Sequence, residues 1–475
     1  MAQPLPLIAR AAVASGLVTA ALAWQRTAPA AAPAVLHVGY AEADVTPPLG
    51  GSMPGYFGDR RATGTLDPLK SKVLYLRKGG ESVAIVACDL IAVGEPLAQR
   101  IRKAMADSVR PAPRHVWVHA THTHTGGMIP REGTFTSDTE KIYPEFYPGQ
   151  VDTTWVDTLV RKTAEAVGRA AAEAAPESAP TLHEGREETV AFYRRFRMRD
   201  GSVRTNPGRS NPEVVEPAGT IDPRVHLLRF PDRKVVTVLY GLHPDCVSGT
   251  QYSADYPAHL SEALRERLGA DWRVVFLNTC CGNINHIDVK NAAQKSGPEE
   301  SRRIGRQLAA SALAALAKGG EALSGPLQAR STGVKSRLRR PTPEELTEAR
   351  ERLRTGKDAF EFNGLFAPAA VVLAETRDRE HTARVTALRL GQFGLAALPG
   401  EVFVELARQV EADSPLAVTR TIGLTNGAMG YIPHRQGYAE GGYEAGYRSA
   451  RYVPGTGESW ATAAAGLLRK MEGER

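Results

Sequence analysis

Cysteine is scarce in this chain of 475 residues: Cys88, Cys246, Cys280 and Cys281 are all there is. No Cys-x-x-Cys spacing occurs, which removes the usual structural zinc knuckles. Neighbouring cysteines bond only through a strained ring; two pairs are arithmetically possible in an oxidising compartment without the sequence assigning them, and buried free thiols are the favoured reading. Long apolar runs are missing too. Residues 11–24 form an uncharged stretch shorter than the roughly 20 residues a spanning helix needs, and no other segment is a candidate for crossing a membrane. Charge of one sign is nowhere concentrated. Lys and Arg number 59 against 52 Asp and Glu, a net charge of +7, with no basic run interleaved with aromatics. That pattern argues against nucleic acid as a partner and leaves only a weak attraction to anionic membrane surfaces.

What is present describes a globular protein with ample core: 42% hydrophobic and 23% charged residues. Arg10 precedes the apolar stretch, and the Ala/Pro-rich Thr27–Ala34 follows it. A basic start, a short apolar core and small residues beyond point to a secretory leader over residues 1–34, hence a periplasmic or secreted protein, with a disordered Ala-rich leader as the alternative. Residues 35–475 show neither a convincing linker nor an internal repeat. They read as one α/β (α+β) domain of mixed sheets flanked by helices.

The pivotal stretch is His119-Ala-Thr-His-Thr-His-Thr-Gly-Gly127. It follows the alternating run His115-Val-Trp-Val-His-Ala120, a strand with Val116, Val118 and Ala120 on its buried face. Small residues and two glycines then let the backbone turn away. His122 and His124 thus stand at a strand exit, and neutral imidazole is the commonest metal ligand at physiological pH. Before it, Lys72–Arg77 and Ser82–Asp89 form a hairpin around Gly79-Gly80, and residues 96–109 a helix. After it, residues 131–151 read as a long loop and 153–175 as a helix burying Trp155, Leu159, Ala166 and Ala170.

Further on, residues 189–219 read as a strand and an extended loop. The strands 225–230 and 235–240 follow, the second running into Gly241-Leu-His-Pro-Asp245. A helix over 257–268, a buried strand over 274–278 and a tight turn over 279–286 come next. Helices are expected at 299–317 and, with Thr342 and Glu345 closing a capping box, at 343–354. The hairpin of 385–390 and 393–398 ends in Pro399-Gly-Glu401, ahead of a helix over 402–411. A strand over 420–425 leads to Gly430-Tyr431, and 460–471 closes the chain as a helix. Four strand ends therefore carry side chains able to bind a metal: His122, His243, Glu401 and Tyr431.

The motifs Val38-Gly-Tyr-Ala-Glu-Ala-Asp-Val-Thr46, Ala-Thr-His-Thr-His-Thr-Gly, Leu242-His-Pro244, Leu398-Pro-Gly-Glu401 and Gly430-Tyr431 occur in this order. Over about residues 36–450 the chain resembles the neutral/alkaline ceramidases and their bacterial relatives. The resemblance implies the catalytic-domain fold of that family and one Zn2+ held by His122, His243, Glu401 and Tyr431. It also implies His124, Arg194 (with Arg195 as the alternative) and Tyr443 around a scissile amide. The implied activity is zinc-dependent hydrolysis of a linear amide, N-acylsphingosine or another N-acyl compound, with a small-molecule or lipid amide as partner.

Two departures stand against that pattern. The family's Gly-Asp-Val-Ser-Pro-Asn stretch is Gly282-Asn-Ile-Asn-His-Ile287 here. Asn285 replaces the serine; it can donate a hydrogen bond but is no nucleophile. The chain also stops without room for the family's C-terminal immunoglobulin-like domain. Other readings of the same ligands are an esterase or lactonase, or a lipid- or glycan-binding relative with weakened catalysis. An amidohydrolase-type barrel fits poorly, because eight regular strand–helix units are not visible. Asp245 and Asp255 are candidates for orienting a ligand histidine, with surface or capping roles as the alternative.

Overall fold

The computed structural model describes residues 1, 34–56, 58–108, 112–130, 149–359 and 365–474. Residues 2–33 and 131–148, on which the expected leader and most of the expected loop fall, lie outside these. Val35–Arg475 forms one compact unit, a mixed α/β arrangement in which a single chain path is followed three times.

The first pass runs β1 (Leu36–Asp44), β2 (Lys70–Lys78), β3 (Glu81–Cys88), α1 (Glu95–Ser108), β4 (His115–Ala120) and α2 (Thr153–Ala172). The second runs β5 (Thr181–Arg186), β6 (Arg224–Phe230), β7 (Val235–Tyr240), α3 (Tyr256–Leu268), β8 (Arg273–Asn278) and α4 (Pro298–Ala317). The third runs β9 (Leu327–Arg337), β10 (Glu380–Leu390), β11 (Phe393–Ala397), α5 (Val404–Asp413), β12 (Val418–Ile422) and α6 (Thr456–Gly473). In each sheet these four strands lie in the order fourth, third, second, first, and a short edge strand (Ala175–Glu177, Glu321–Ala322) extends the first and second sheets to five. The first three are antiparallel neighbours and the last pair is parallel, joined by a helix.

This corrects the expectation that no internal repeat exists. The repeat is hidden because insertions of unequal length separate the first and second strands: residues 45–69, 187–223 and 338–379. The strands β5 and β9, absent from the sequence reading, complete the second and third units. Much of β9 is exposed and polar, so it lacks the apolar alternation that marks a strand.

The pleat divides each sheet between two cores. On β2 and β3, Val73, Tyr75, Ala84 and Val86 pack with α1 and α2. Leu74, Leu76, Val83 and Ile85 point the other way, into a central cluster with Leu228, Leu239, Val275, Leu277, Leu388 and Leu395 from the other two sheets. Helices α3 and α4 cover the second sheet and α5 and α6 the third. Both faces of the central strands are thus buried, as their apolar runs require. That holds for β4 as well, where Trp117 and His119 are as buried as the Val116–Ala120 face.

The fourth strands converge at one end. Ala120 donates its N–H to Leu424, Asn426 to Val118, and Cys280 to Thr421. His119 bridges all three units. Its Nδ1 lies 3.0 Å from the Gly423 carbonyl and from Thr425 Oγ1, while its Nε2 accepts from Asn278 N–H at 3.1 Å. Antiparallel pairing places the three long insertions at this same end, and the tight hairpins at the other. One insertion departs from its reading. Residues 189–219 contain a small antiparallel sheet of Arg195–Met198, Val203–Thr205 and Val214–Pro217 rather than an extended loop. Elsewhere the capping box over Thr342 and Glu345 forms as expected, and the four cysteines are free and buried. Among the described residues no helix is long and apolar enough to cross a membrane.

Candidate metal centre

Each unit sends side chains to the end where the fourth strands meet. From the first come His122 and His124, just past β4. His122 turns the chain with φ of 79°, a conformation rare for a side chain with a Cβ and typical of functional turns. Its Nδ1 lies 2.6 Å from the carbonyl of Ile91, which follows β3. His124 turns its Nδ1 to the carbonyl of Gly55 at 2.9 Å. Arg60 holds that loop down, donating to the carbonyls of Pro54 and His124, both at 2.6 Å, under the ring of Tyr56.

The second unit supplies His243 after β7 and Arg194 from its insertion. His243 directs Nδ1 at the carbonyls of Cys281 (2.8 Å) and Ile284 (3.0 Å). The third unit supplies Glu401 and Tyr431, which are register partners in a short parallel ribbon, Glu401–Val402 against Tyr431–Ile432. All three imidazoles thus give their Nδ1–H to backbone carbonyls, which leaves every Nε2 an acceptor, unpartnered in His122 and His124 and near Arg194 Nη1 in His243. Neither Asp245 nor Asp255 orients them, contrary to that sequence-based alternative. Asp245 pairs with His286 at 2.8 Å, and Asp255 caps α3 while accepting from Val247 N–H.

The free lone pairs converge. Donor atoms of His122, His124 and His243 all lie within 4.8 Å of one another. Glu401 Oε2 is 3.2 Å from His122 Nε2 and 3.4 Å from His243 Nε2. Tyr431 Oη stands 3.5 Å from His243 Nε2 and accepts from Arg194 Nη2 at 2.9 Å. His122 Nε2, His124 Nε2 and Glu401 Oε2 are all buried without a hydrogen-bond partner. Buried acceptors facing one another without protons are costly unless a cation lies among them. The donor set of imidazoles, carboxylate and phenol fits a divalent metal, and the carbonyls behind each imidazole supply the outer support such sites use.

With no cation among them, electrostatics favours a proton on His122 in the place a metal would take. Burial alone would raise the Glu401 carboxyl, but His122 and His243 hold it well below its ordinary value. Burial works against a charge on His122 too, yet Glu401 keeps its pKa raised. His124 is pushed down to about 3, by burial first and then by His122, and so is neutral.

Arg194 is fixed by more than the site. Its Nε donates to Glu444 Oε1 at 2.8 Å and its Nη2 to the Gly282 carbonyl at 2.8 Å. Nη1 lies 3.3 Å from His243 Nε2. Glu444 also accepts from Arg195 Nη1 at 3.1 Å and Thr205 Oγ1 at 2.6 Å. Arg195, the alternative to Arg194, therefore points away from the cluster toward Glu440 and Glu444. Tyr443 stacks edge-on against Tyr431, ring centroids 5.6 Å apart. Asn285 is buried, with Nδ2 donating to Asn206 and Oδ1 accepting from Ile287 N–H. Glu444, Gly55 and the supporting carbonyls escaped sequence reading. Glu444 carried a signal only through its place beside Tyr443.

No protein-family model matches the chain, and no curated protein matches it in sequence. Among solved structures, neutral ceramidase from Pseudomonas aeruginosa superposes with a TM-score of 0.71 at 17% identity, over 93% of this chain and 75% of that one. A ceramidase complexed with C2 gives 0.69 at 16% identity, over 93% and 76%. The chain therefore has the mixed α/β fold of neutral ceramidase.

Proposed function

We propose that this protein is a zinc-dependent hydrolase of linear amides, ceramidase-like in its substrate (N-acylsphingosine or a related N-acyl compound), and that it acts outside the cytoplasm. The observation that carries the reading is the buried set of unpartnered acceptors, His122 Nε2, His124 Nε2 and Glu401 Oε2, with His243 Nε2 and Tyr431 Oη beside them. His122, His243, Glu401 and Tyr431 would hold the ion. Bound there, Zn2+ would supply Lewis acidity, lowering the pKa of water toward about 7 and polarising a carbonyl.

The remaining work falls to the chain. His124 is neutral, with Nδ1–H committed to Gly55, so Nε2 is an acceptor. It suits the base that takes a proton from attacking water and returns it to the leaving amine. The same tautomer removes it as an oxyanion donor. That role is left to the Tyr443 hydroxyl and to Arg194, whose guanidinium keeps a fixed positive charge at the cluster. Attack forms the C–O bond, the C–N bond then breaks, and the carboxylic acid and amine depart. The decisive experiment is release of fatty acid from an N-acyl sphingoid base before and after chelation, beside a p-nitrophenyl ester. Loss on chelation and recovery with Zn2+ are expected for the amide; undiminished turnover in metal-free protein would overturn the reading.

A further inference from the structure

Beyond that centre, we propose that Asp245, Cys246 and His286 form a second metal site, for a zinc-like divalent cation that fastens the segment carrying His243 to the turn supporting it. One donor atom from each lies within 4.8 Å of the others. The cluster is secluded: Cys246 and His286 are 1% and 3% exposed. His286 Nδ1 is 2.8 Å from Asp245 Oδ1, but its Nε2 is buried and has no partner.

An ordinary Asp–His ion pair accounts for only part of this. It leaves the buried His286 Nε2 unsatisfied, which is costly away from water, and it leaves the Cys246 thiol hydrogen-bonded to Asp255 rather than to the pair. Asp255 and Glu300, itself paired with Arg303, both act on Cys246 and His286. These surroundings favour a cation. Burial and those carboxylates push the Cys246 thiol well up, so it stays protonated until a cation displaces the proton. Thiolate, imidazole and carboxylate together match zinc better than magnesium or calcium, which prefer oxygen alone.

The position suggests what the ion would do. Asp245 and Cys246 lie just beyond His243 in Leu242-His-Pro-Asp-Cys246, and His286 ends the turn whose Cys281 and Ile284 carbonyls hold His243 Nδ1. A cation across the two segments would lock the orientation of His243 without touching substrate.

Metal counting on the full chain tests this. Protein saturated with Zn2+ and freed of excess should hold two equivalents, falling to one in Cys246→Ser and in His286→Ala. Glu401→Ala should lose the other equivalent and keep this one. Saturation with Co2+ should give a thiolate-to-cobalt charge-transfer band in the near ultraviolet. Cys246→Ser should lose the band, whereas Cys88→Ser should not. This readout depends on sulfur alone, so it separates failure here from failure of the hydrolase reading. Absence of the thiolate band, or a zinc content that Cys246→Ser and His286→Ala leave unchanged, would overturn the proposal.

Discussion

Glu401 and Tyr431 sit opposite each other across a parallel two-residue ribbon, each following a strand of the third sheet. The pairing delivers a carboxylate and a phenol to one side of the cluster, while His122 and His243 approach from the other two units.

On the proposed ligand set, Glu401→Ala should abolish binding of a divalent ion among these residues, and so should His122→Ala. Sites with few protein ligands lose most of their binding free energy with one donor. Metal content and fatty-acid release should fall together. A Glu401→Ala protein retaining that ion would remove Glu401 from the ligand set.

Gly55 has φ of +99°, and a Cβ there would come within 2.9 Å of the His124 ring. Gly55→Ala must shift either the loop or His124, whose Nδ1 rests on the Gly55 carbonyl. Turnover should drop about 100-fold, the scale of losing a well-placed catalytic group, with metal content unchanged. Unaltered kcat would show that His124 takes no part in proton transfer.

Glu444 is fully buried and pairs with both Arg194 and Arg195. Removing one partner of a buried ion pair costs about 3–5 kcal/mol. Glu444→Gln keeps the shape and should show a loss of that order in urea unfolding, with lowered kcat because Arg194 is no longer aimed at Tyr431. Stability and kcat both within error of the unaltered protein would refute this account.

Acid should weaken the meeting point of the three sheets through His119. Burial, with His122 adding to it against the pull of the Gly423 carbonyl, pushes its pKa down to about 4. In the unfolded chain it titrates near 6.5. Above about pH 6.5 both states are neutral and the residue adds no pH dependence. As pH falls toward 4 the unfolded chain takes up a proton that the folded one refuses, and roughly 3 kcal/mol of stability is lost. Comparing urea unfolding at pH 7 and 4.5 with that of His119→Asn checks this; an identical pH slope in the variant would contradict it.

The sequence exposes the strand-end side chains well, because apolar runs locate β3, β4, β7, β8 and β11 and the polar residue after each run stands out. His122, His243 and Glu401 are found that way, and the structure brings them together with Tyr431. What supports them is far less visible. The carbonyls of Ile91, Gly55, Cys281 and Ile284 carry no residue-type signal, since any residue has a carbonyl. Glu444 meets Arg194 across 250 positions, a separation that periodicity does not span. The threefold repetition stays hidden for a related reason: each sheet needs only apolar residues of the right pitch, and many unrelated sequences satisfy that.

The repeated chain path bears on when the molecule can work. His122 and His124 belong to the first unit, Arg194 and His243 to the second, Glu401, Tyr431 and Tyr443 to the third. A fragment ending short of the last unit lacks the carboxylate and the phenol, so a growing polypeptide holds only part of the ligand set. Occupancy would reward the finished molecule most, adding about 4 kcal/mol at a thousandfold excess over Kd. The ion would thus act as a final clasp, and starving the protein of it should loosen all three sheets at once.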